Sequence, residues 1–393
     1  METRLVSAAA AAGRIGIKRA TLYAYVSRGF LTAHALPGRR GSWFDPVELD
    51  ALVRRARVPA ERQPDLRIKS AITLIERGRY FYRGLAPASL AQTRSYEDVA
   101  EWLWLGQEST ARPEWPVDTH AADQARAALA LLPRQASATD RVRVIVSIIG
   151  AGDPLRFDLR PAGAVATARR LLATTAAALG RRTPASIAEH VAAWVSPRRL
   201  SRDAVRAIET ALIVMADHEL AASTLAVRIA ASFKADPYAA VVAGLGPMSG
   251  TWHGAASRRV EDVLRRVTRG ENAAQVVGHL LHDEASVPGF GHPLYPEGDP
   301  RVSVLLPLAR SFGPATAADA VLEVAAAQGM LQPNVDFALA TLAHQLRLSA
   351  GAGEAIFTIG RLSGWLAHAI EEYTDRSALR LRALYVGPRR AED

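Results

Sequence analysis

The sequence predicts a mainly α-helical protein, and three observations carry that prediction. From residue 69 onward, helix-length apolar patterns alternate with short breaks containing Gly or Pro: YEDVAEWLWLG (96–106), ADQARAALALL (122–132), AVATARRLLATTAAAL (164–179), AVRAIETALIVMA (204–216) and RVEDVLRRVTRG (259–270). Strand-period alternation is scarce, and only SAITLIERGRYFYRG (70–84) reads as a short β-hairpin. The composition, 49% hydrophobic and 22% charged with 28 Gly and 22 Pro, excludes disordered, collagenous and coiled-coil chains. At 393 residues the chain is long enough for two or three domains of roughly 100–200 residues each.

No uninterrupted apolar run reaches the roughly 18 residues of a membrane span, and Gly13 and Arg14 break the N-terminal Ala run. Neither membrane insertion nor export is expected, and a cytoplasmic location fits. The lack of cysteine removes disulfides, thiolate nucleophiles and cysteine-based metal sites together. The formal net charge is +9, and it is unevenly placed. Residues 1–69 hold 13 Lys or Arg against 6 Asp or Glu, whereas residues 70–393 hold 35 against 33. A coding preference for Arg would spread the excess evenly. Its concentration points to an N-terminal module for a polyanion.

Within that module, VSAAAAAGRIGI reads as a helix ending between Gly13 and Gly16, and KRATLYAYVSRGFL as a second helix from near Thr21 to Gly29. LPGRRGSWF then reads as a hairpin with a basic tip. DPVELDALVRRA reads as a helix with Asp45 as N-cap and Pro46 at its first position. The order helix, helix, wing, helix over residues 1–57 resembles the winged helix-turn-helix of the MerR and excisionase type. The resemblance implies that Arg19, Thr21, Tyr23, Tyr25 and Arg28 face DNA, with Arg39 and Arg40 on the wing. Residues 58–68, with two Pro and several charges, read as a linker.

In the body, the chemically capable residues are the histidines and the carboxylates near them. His218 (ADHELAAST), His253 (SGTWHGAAS) and His292 (PGFGHPLYPEGDPR) lie beside Gly or turn-forming residues, where backbone room lets a ligand approach. Asp336 follows a Pro-Asn break in PNVDF, at an expected helix start. His279 and His282 have a metal-like spacing, but two residues are too few for a site. His344 and His368 fall in helical patterns and read as core or capping residues.

These segments, with IFTIGRLSGWLAHAIEEY, stand in the order of the signature segments of the citrate synthase family, and residues 69–387 resemble that family throughout. The resemblance implies a two-domain helical fold. A large domain would comprise residues 69–254 and 348–393, and a small domain residues 255–347. It also implies a homodimer with a shared active site that condenses acetyl-CoA with oxaloacetate, acetyl-CoA being a co-substrate and no metal or cofactor being required. Asp336 would be the base that deprotonates the acetyl methyl group. His253 would hydrogen-bond the thioester oxygen, and His292 would polarise the keto carbonyl. Arg301, Arg361 and a partner-supplied Arg380 would hold the carboxylates, and His218 would add a contact to oxaloacetate.

The physical need for such a set can be stated independently. An ordinary Asp, with a pKa of about 3.9, is far too weak a base to deprotonate carbon unaided. The carbanion must be stabilised as it forms, and preorganised neutral imidazole N–H donors do that in a dehydrated site. A dicarboxylate suits the fork of arginine better than lysine. The sequence also departs from the family pattern. Trp252 precedes His253 where GPLHGGAN is usual, Pro293 and Pro296 stand where GFGHRVYK carries basic residues, and RPR is RLR. The acyl chain is therefore open between acetyl-CoA and propionyl-CoA, the latter giving 2-methylcitrate. A reading of another class is a metabolite sensor that controls DNA binding.

Overall fold

The computed structural model describes residues 5–17, 19–27, 31–36, 39–49, 68–107, 115–183, 185–250, 256–284, 287–375 and 378–379. The chain divides into two compact units, Met1–Lys69 with Leu280–Ser286, and Ser70–His279 with Val287–Asp393.

In the first unit, β1 (Val6–Ser7), α1 (Ala8–Ile15), α2 (Arg19–Ser27), β2 (His34–Leu36) and β3 (Arg39–Phe44) follow in order, and β3 lies antiparallel between β1 and β2. Ser7 caps α1 by accepting from the Ala10 N–H, and Gly16 stops it in the left-handed region at φ 72°, where a side chain is strained. α2 starts two residues earlier than the pattern predicts. Asp45 begins the next helical turn, its Oδ1 accepting from the Val47 N–H at 2.8 Å. The unit closes over Ala8, Ala11, Ala12, Leu22, Leu31, Phe44 and Leu49.

The residues expected to face DNA differ in exposure. Tyr25 and Val26 join Leu22 on the inner side of α2, the i, i+3, i+4 stripe, so Tyr25 packs against the core. Arg19 and Tyr23 are exposed and Thr21 is half-buried. Arg28, residues 58–67 of the linker, and the side chains of Arg39 and Arg40 lie outside the described residues.

The second unit opens with the hairpin β4 (Thr73–Glu76) and β5 (Arg79–Tyr82), as the alternation predicts. Helices α3 (Pro87–Thr93), α4 (Tyr96–Leu105), α5 (Thr119–Leu129), α6 (Ala138–Gly152) and α7 (Pro161–Leu179) follow. Next come α8 (Ile187–Val195), α9 (Arg202–Met215), α10 (Ala222–Ser232), α11 (Pro237–Met248), α12 (Ala256–Thr268) and α13 (Ala273–Glu284), whose residues from Leu280 on are grouped with the first unit. The last are α14 (Val302–Arg310), α15 (Thr316–Ala327), α16 (Val335–Gln345) and α17 (Ala352–Thr374). Capping boxes at Ser95, Ser137 and Ser186 start α4, α6 and α8.

α17 is the axle of this unit, packed by α4, α6, α7, α9, α10 and α11 and buried along nearly its whole length. Its glycines make that possible. A Cβ on Gly360 would sit 3.0 Å from the Leu212 carbonyl, and one on Gly364 would sit 2.3 Å from that of Ala216. The close approach presses the end of α9 and the Asp217–His218 turn onto α17, and the Gly364 N–H donates to the Ala216 carbonyl at 2.9 Å. The hairpin braces the same turn, with the Tyr80 and Tyr82 hydroxyls both donating to the Val214 carbonyl at 3.1 Å. Among the described residues no helix is long and apolar enough to cross a membrane.

Candidate active site

Two stretches more than thirty residues apart are stitched together at the backbone. Phe290 bridges Pro333, the Gly291 N–H donates to the Gln332 carbonyl at 2.8 Å, and the Asn334 N–H donates to the Gly289 carbonyl at 2.8 Å. The Asn334 side-chain amide adds a bond to the Gly291 carbonyl at 2.9 Å. Gly289 (φ 88°) and Gly291 (φ 78°) adopt the left-handed conformation, and a Cβ on either would come within 2.7 Å of Val260 or 2.6 Å of Leu331. That explains the Gly-Phe-Gly sequence before His292.

Asn334 also caps α16, its Oδ1 accepting from the Asp336 N–H at 3.0 Å, which places Asp336 in the first helical turn. A helix N-terminus and Arg301 both favour a carboxylate, yet burial outweighs them and pushes Asp336 up to about 7, with Asp299 adding to the rise. Its Oδ1 is buried without a hydrogen-bond partner among the described residues.

Around His292 three rings meet. His218 lies 5.2 Å from His292 and 5.4 Å from Tyr295 between centroids, and His218 Nε2 is 2.8 Å from the Tyr295 hydroxyl. Burial, then the Arg301 charge, pulls His292 down to about 4. Burial also lowers His218, with Arg301, Arg361 and His292 adding to it. Both imidazoles are therefore neutral at pH 7. The Leu294 N–H donates to His292 Nδ1 at 3.2 Å, so the neutral ring carries its proton on Nε2 and presents a donor there.

Arg301 is buried and gripped in a two-pronged pair by Asp299, at 2.9 and 2.7 Å, which outweighs burial and raises its pKa. Asp299 Oδ2 further accepts the Val335 N–H at 3.0 Å, tying the pair to the start of α16. The Asp299–Arg301 pair has no net charge, and of the guanidinium nitrogens only Nη1 is left out of it. Arg361, on α17, is 1% exposed. Its Nε donates to the Met215 carbonyl at 3.0 Å and the guanidinium lies over Phe357, while Nη2 is buried without a partner among the described residues. An unpaired buried donor on a cation is costly, and a ligand carboxylate would relieve it.

The structure thus gathers His218, His292, Arg301, Arg361 and Asp336 around the Asp299–Arg301 pair and the end of α9. His253 and Arg380 lie outside the described residues. Tyr295 and Asp299 were not anticipated; the only sequence signals are the Tyr three residues after His292 and the Asp-Pro-Arg spacing. His368 is buried as expected and has a role in the frame. It accepts from Arg228 Nη1 at Nδ1 (2.8 Å) and so gives its Nε2 proton to Asp217 (3.3 Å), the residue beside His218. His344 Nε2 meets the Thr268 hydroxyl. Among the described residues no cluster of three or more His, Asp or Glu could hold a metal ion.

A carboxylate held near neutral pH beside neutral imidazole donors and an unsatisfied buried arginine can take a proton from carbon while a carboxylate-bearing partner is held. That is the chemistry of an enzyme that takes a proton from carbon, built on a helical scaffold.

Residues 66–382 match the family described as citrate synthase, C-terminal domain. Citrate synthase 2 of Bacillus subtilis is 34% identical over 191 residues, 47% of this chain and about half (51%) of that protein. 2-Methylcitrate synthase 2 of Corynebacterium glutamicum is 29% identical over 346 residues, 79% of this chain and 89% of that one. The citrate synthase of Thermotoga maritima superposes with a TM-score of 0.66 at 26% identity, covering 84% of this chain and 96% of that one. The Thermoplasma acidophilum citrate synthase, solved with carboxymethyl coenzyme A and oxaloacetate, gives 0.67 at 22% identity with the same coverage. The chain belongs to the citrate synthase family, and it is a citrate synthase-like enzyme of the transferase class.

Proposed function

We propose that the chain joins the methyl carbon of acetyl-CoA to the keto carbon of oxaloacetate and releases CoA by hydrolysis of the resulting thioester. The observation that carries this reading is Asp336, raised to about 7 with an unpartnered buried oxygen and backed by a loop that ends in His292. Asp336 takes the proton from the acetyl carbon, and His253 donates to the thioester oxygen as the enol forms. The enol carbon attacks the keto carbon, whose oxygen receives the Nε2 proton of His292. Water then cleaves the thioester. Arg361 Nη2 and Arg301 Nη1 hold the oxaloacetate carboxylates, with His218 beside them. Arg380 enters from the partner subunit of a homodimer. α11 supports such a dimer by leaving Ala239 and Gly246 exposed and Val242 and Ala243 only partly buried along one face. The body closes as a small domain, residues 255–347, against a large one, residues 69–254 and 348–393.

Release of free thiol from acetyl-CoA and from propionyl-CoA with oxaloacetate tests the reaction and the acyl chain together. Turnover with acetyl-CoA is expected to exceed that with propionyl-CoA. The opposite ratio assigns 2-methylcitrate synthesis, a reading compatible with the alignment to the Corynebacterium relative. No thiol release with either acyl-CoA overturns both.

We also infer that the N-terminal unit binds DNA in the manner of a winged helix-turn-helix. Its helix, helix, hairpin, helical-turn order and the basic excess in residues 1–69 support this. Arg19 and Tyr23, exposed on α2, would approach the major groove, with Arg39 and Arg40 on the wing. A gel shift with duplex DNA upstream of the coding region is expected to show a complex that Arg19→Ala with Arg40→Ala weakens at least tenfold. A complex unaffected by both changes overturns the assignment. Oxaloacetate or CoA altering the shift would make the body a sensor as well.

A further inference from the structure

The α8–α9 side of the second unit holds a cavity of about 680 Å³ that shares no lining residue with the site above. Five arginines line it, Arg181, Arg198, Arg199, Arg202 and Arg206, against Glu189 and Glu209. Residues 70–393 as a whole are close to neutral, so this is a local concentration of charge.

The acids do not answer it. Glu189 Oε2 accepts the Ser186 N–H at 2.8 Å in a capping box, and Glu209 is engaged by the Tyr96 N–H at 3.2 Å and by Arg206. Arg206 also donates to the Ala91 and Arg94 carbonyls, and Arg198 Nη2 donates to the Leu346 carbonyl at 3.0 Å. The exposed guanidiniums of Arg181, Arg199 and Arg202 have no ion-pair partner among the described residues.

Two of them sit at a helix start. Arg202 is the first residue of α9 and Arg199 lies three residues before it, at the positive end of the helix dipole, where cations are repelled. α4, α6 and α8 carry acids in that turn, Glu97 and Asp98, Asp140, and Glu189, and α9 carries one too, Asp203, beside Arg202.

We propose that this cavity binds a polyphosphate chain, carried by a nucleoside triphosphate or present as free inorganic polyphosphate. The volume is far larger than one phosphate group and lies in the range of small-molecule sites, about 300–1,000 Å³. Arginine forks suit the geminal oxygens of successive phosphates, and several are needed because each is exposed and screened.

Isothermal titration of the full chain with inorganic triphosphate, ATP and inorganic phosphate, with saturating CoA present throughout, tests this. Triphosphate is expected to bind, to weaken as salt rises, and to lose at least tenfold in affinity in Arg199→Ala/Arg202→Ala. Turnover at saturating substrates should be unchanged in that variant. ATP binding more tightly than triphosphate assigns the nucleotide form, and equal affinities assign the free chain. Absence of triphosphate binding at low salt with CoA present, or undiminished affinity in the double variant, overturns the proposal.

Discussion

Asp336→Asn is expected to lower kcat by about 10²- to 10⁴-fold while making the protein more stable at alkaline pH. The two effects share one cause. Asp336 has a folded pKa of about 7 against an unfolded value near 4. Because the folded value is the higher one, the carboxyl favours the native state below pH 4, where it is neutral in both states. That advantage declines between pH 4 and 7 and is gone above about 7, where the native state must hold a desolvated carboxylate. Asn carries no charge to desolvate, so the variant should gain ~2–4 kcal/mol over the wild type at pH 8 and little at pH 4. Urea denaturation at the two pH values measures the difference. In the wild type, kcat/KM should rise tenfold per pH unit and level off near pH 7 as the base ionises. An Asn variant with wild-type turnover removes Asp336 from the chemistry, and equal urea midpoints at pH 8 contradict its burial.

Arg361→Lys is expected to raise the KM for oxaloacetate roughly 10²-fold, corresponding to about 3 kcal/mol of lost charge-assisted hydrogen bonding in a buried setting. Lysine keeps the charge but not the fork. In the native chain one nitrogen of that fork reaches the Met215 carbonyl while Nη2 waits for a partner. A single ammonium cannot serve both directions. The KM for acyl-CoA should change little, and the far-ultraviolet circular dichroism should be unaltered. Equal oxaloacetate KM values in variant and wild type would contradict a carboxylate contact at this position.

What the sequence makes legible follows the range over which each interaction acts. Helix starts and stops depend on neighbours three or four residues away, so Asp45 and Gly16 announce them. The β4–β5 hairpin is equally local. The ordered segments around His218, His292, Asp336 and Arg361 identify the body because each keeps its own short-range pattern. Partnerships that form only in the folded chain stay hidden. Nothing near Tyr295 predicts that its hydroxyl meets His218, 77 residues away. Arg301 reads as a bare cation until Asp299 is seen to neutralise it. That Tyr25 packs partly against Leu22 and Val26 on α2 is likewise visible only in the fold. The raised pKa of Asp336 was also beyond sequence reasoning, since the N-terminal turn that is legible lowers a carboxylate and the desolvation that overrides it is not.

The backbone stitches between Gly289–Gly291 and Gln332–Asn334 have a kinetic corollary. Because Phe290 bridges Pro333 and Asn334 bonds both flanking glycines, the imidazole and the aspartate travel as one rigid piece whatever hinge the enzyme uses. Their mutual alignment is inherited once, when the chain folds, and is not searched for again in every catalytic cycle. Loosening that seam, for instance through Asn334→Ala, would therefore surface as a slower chemical step with substrate affinities left intact.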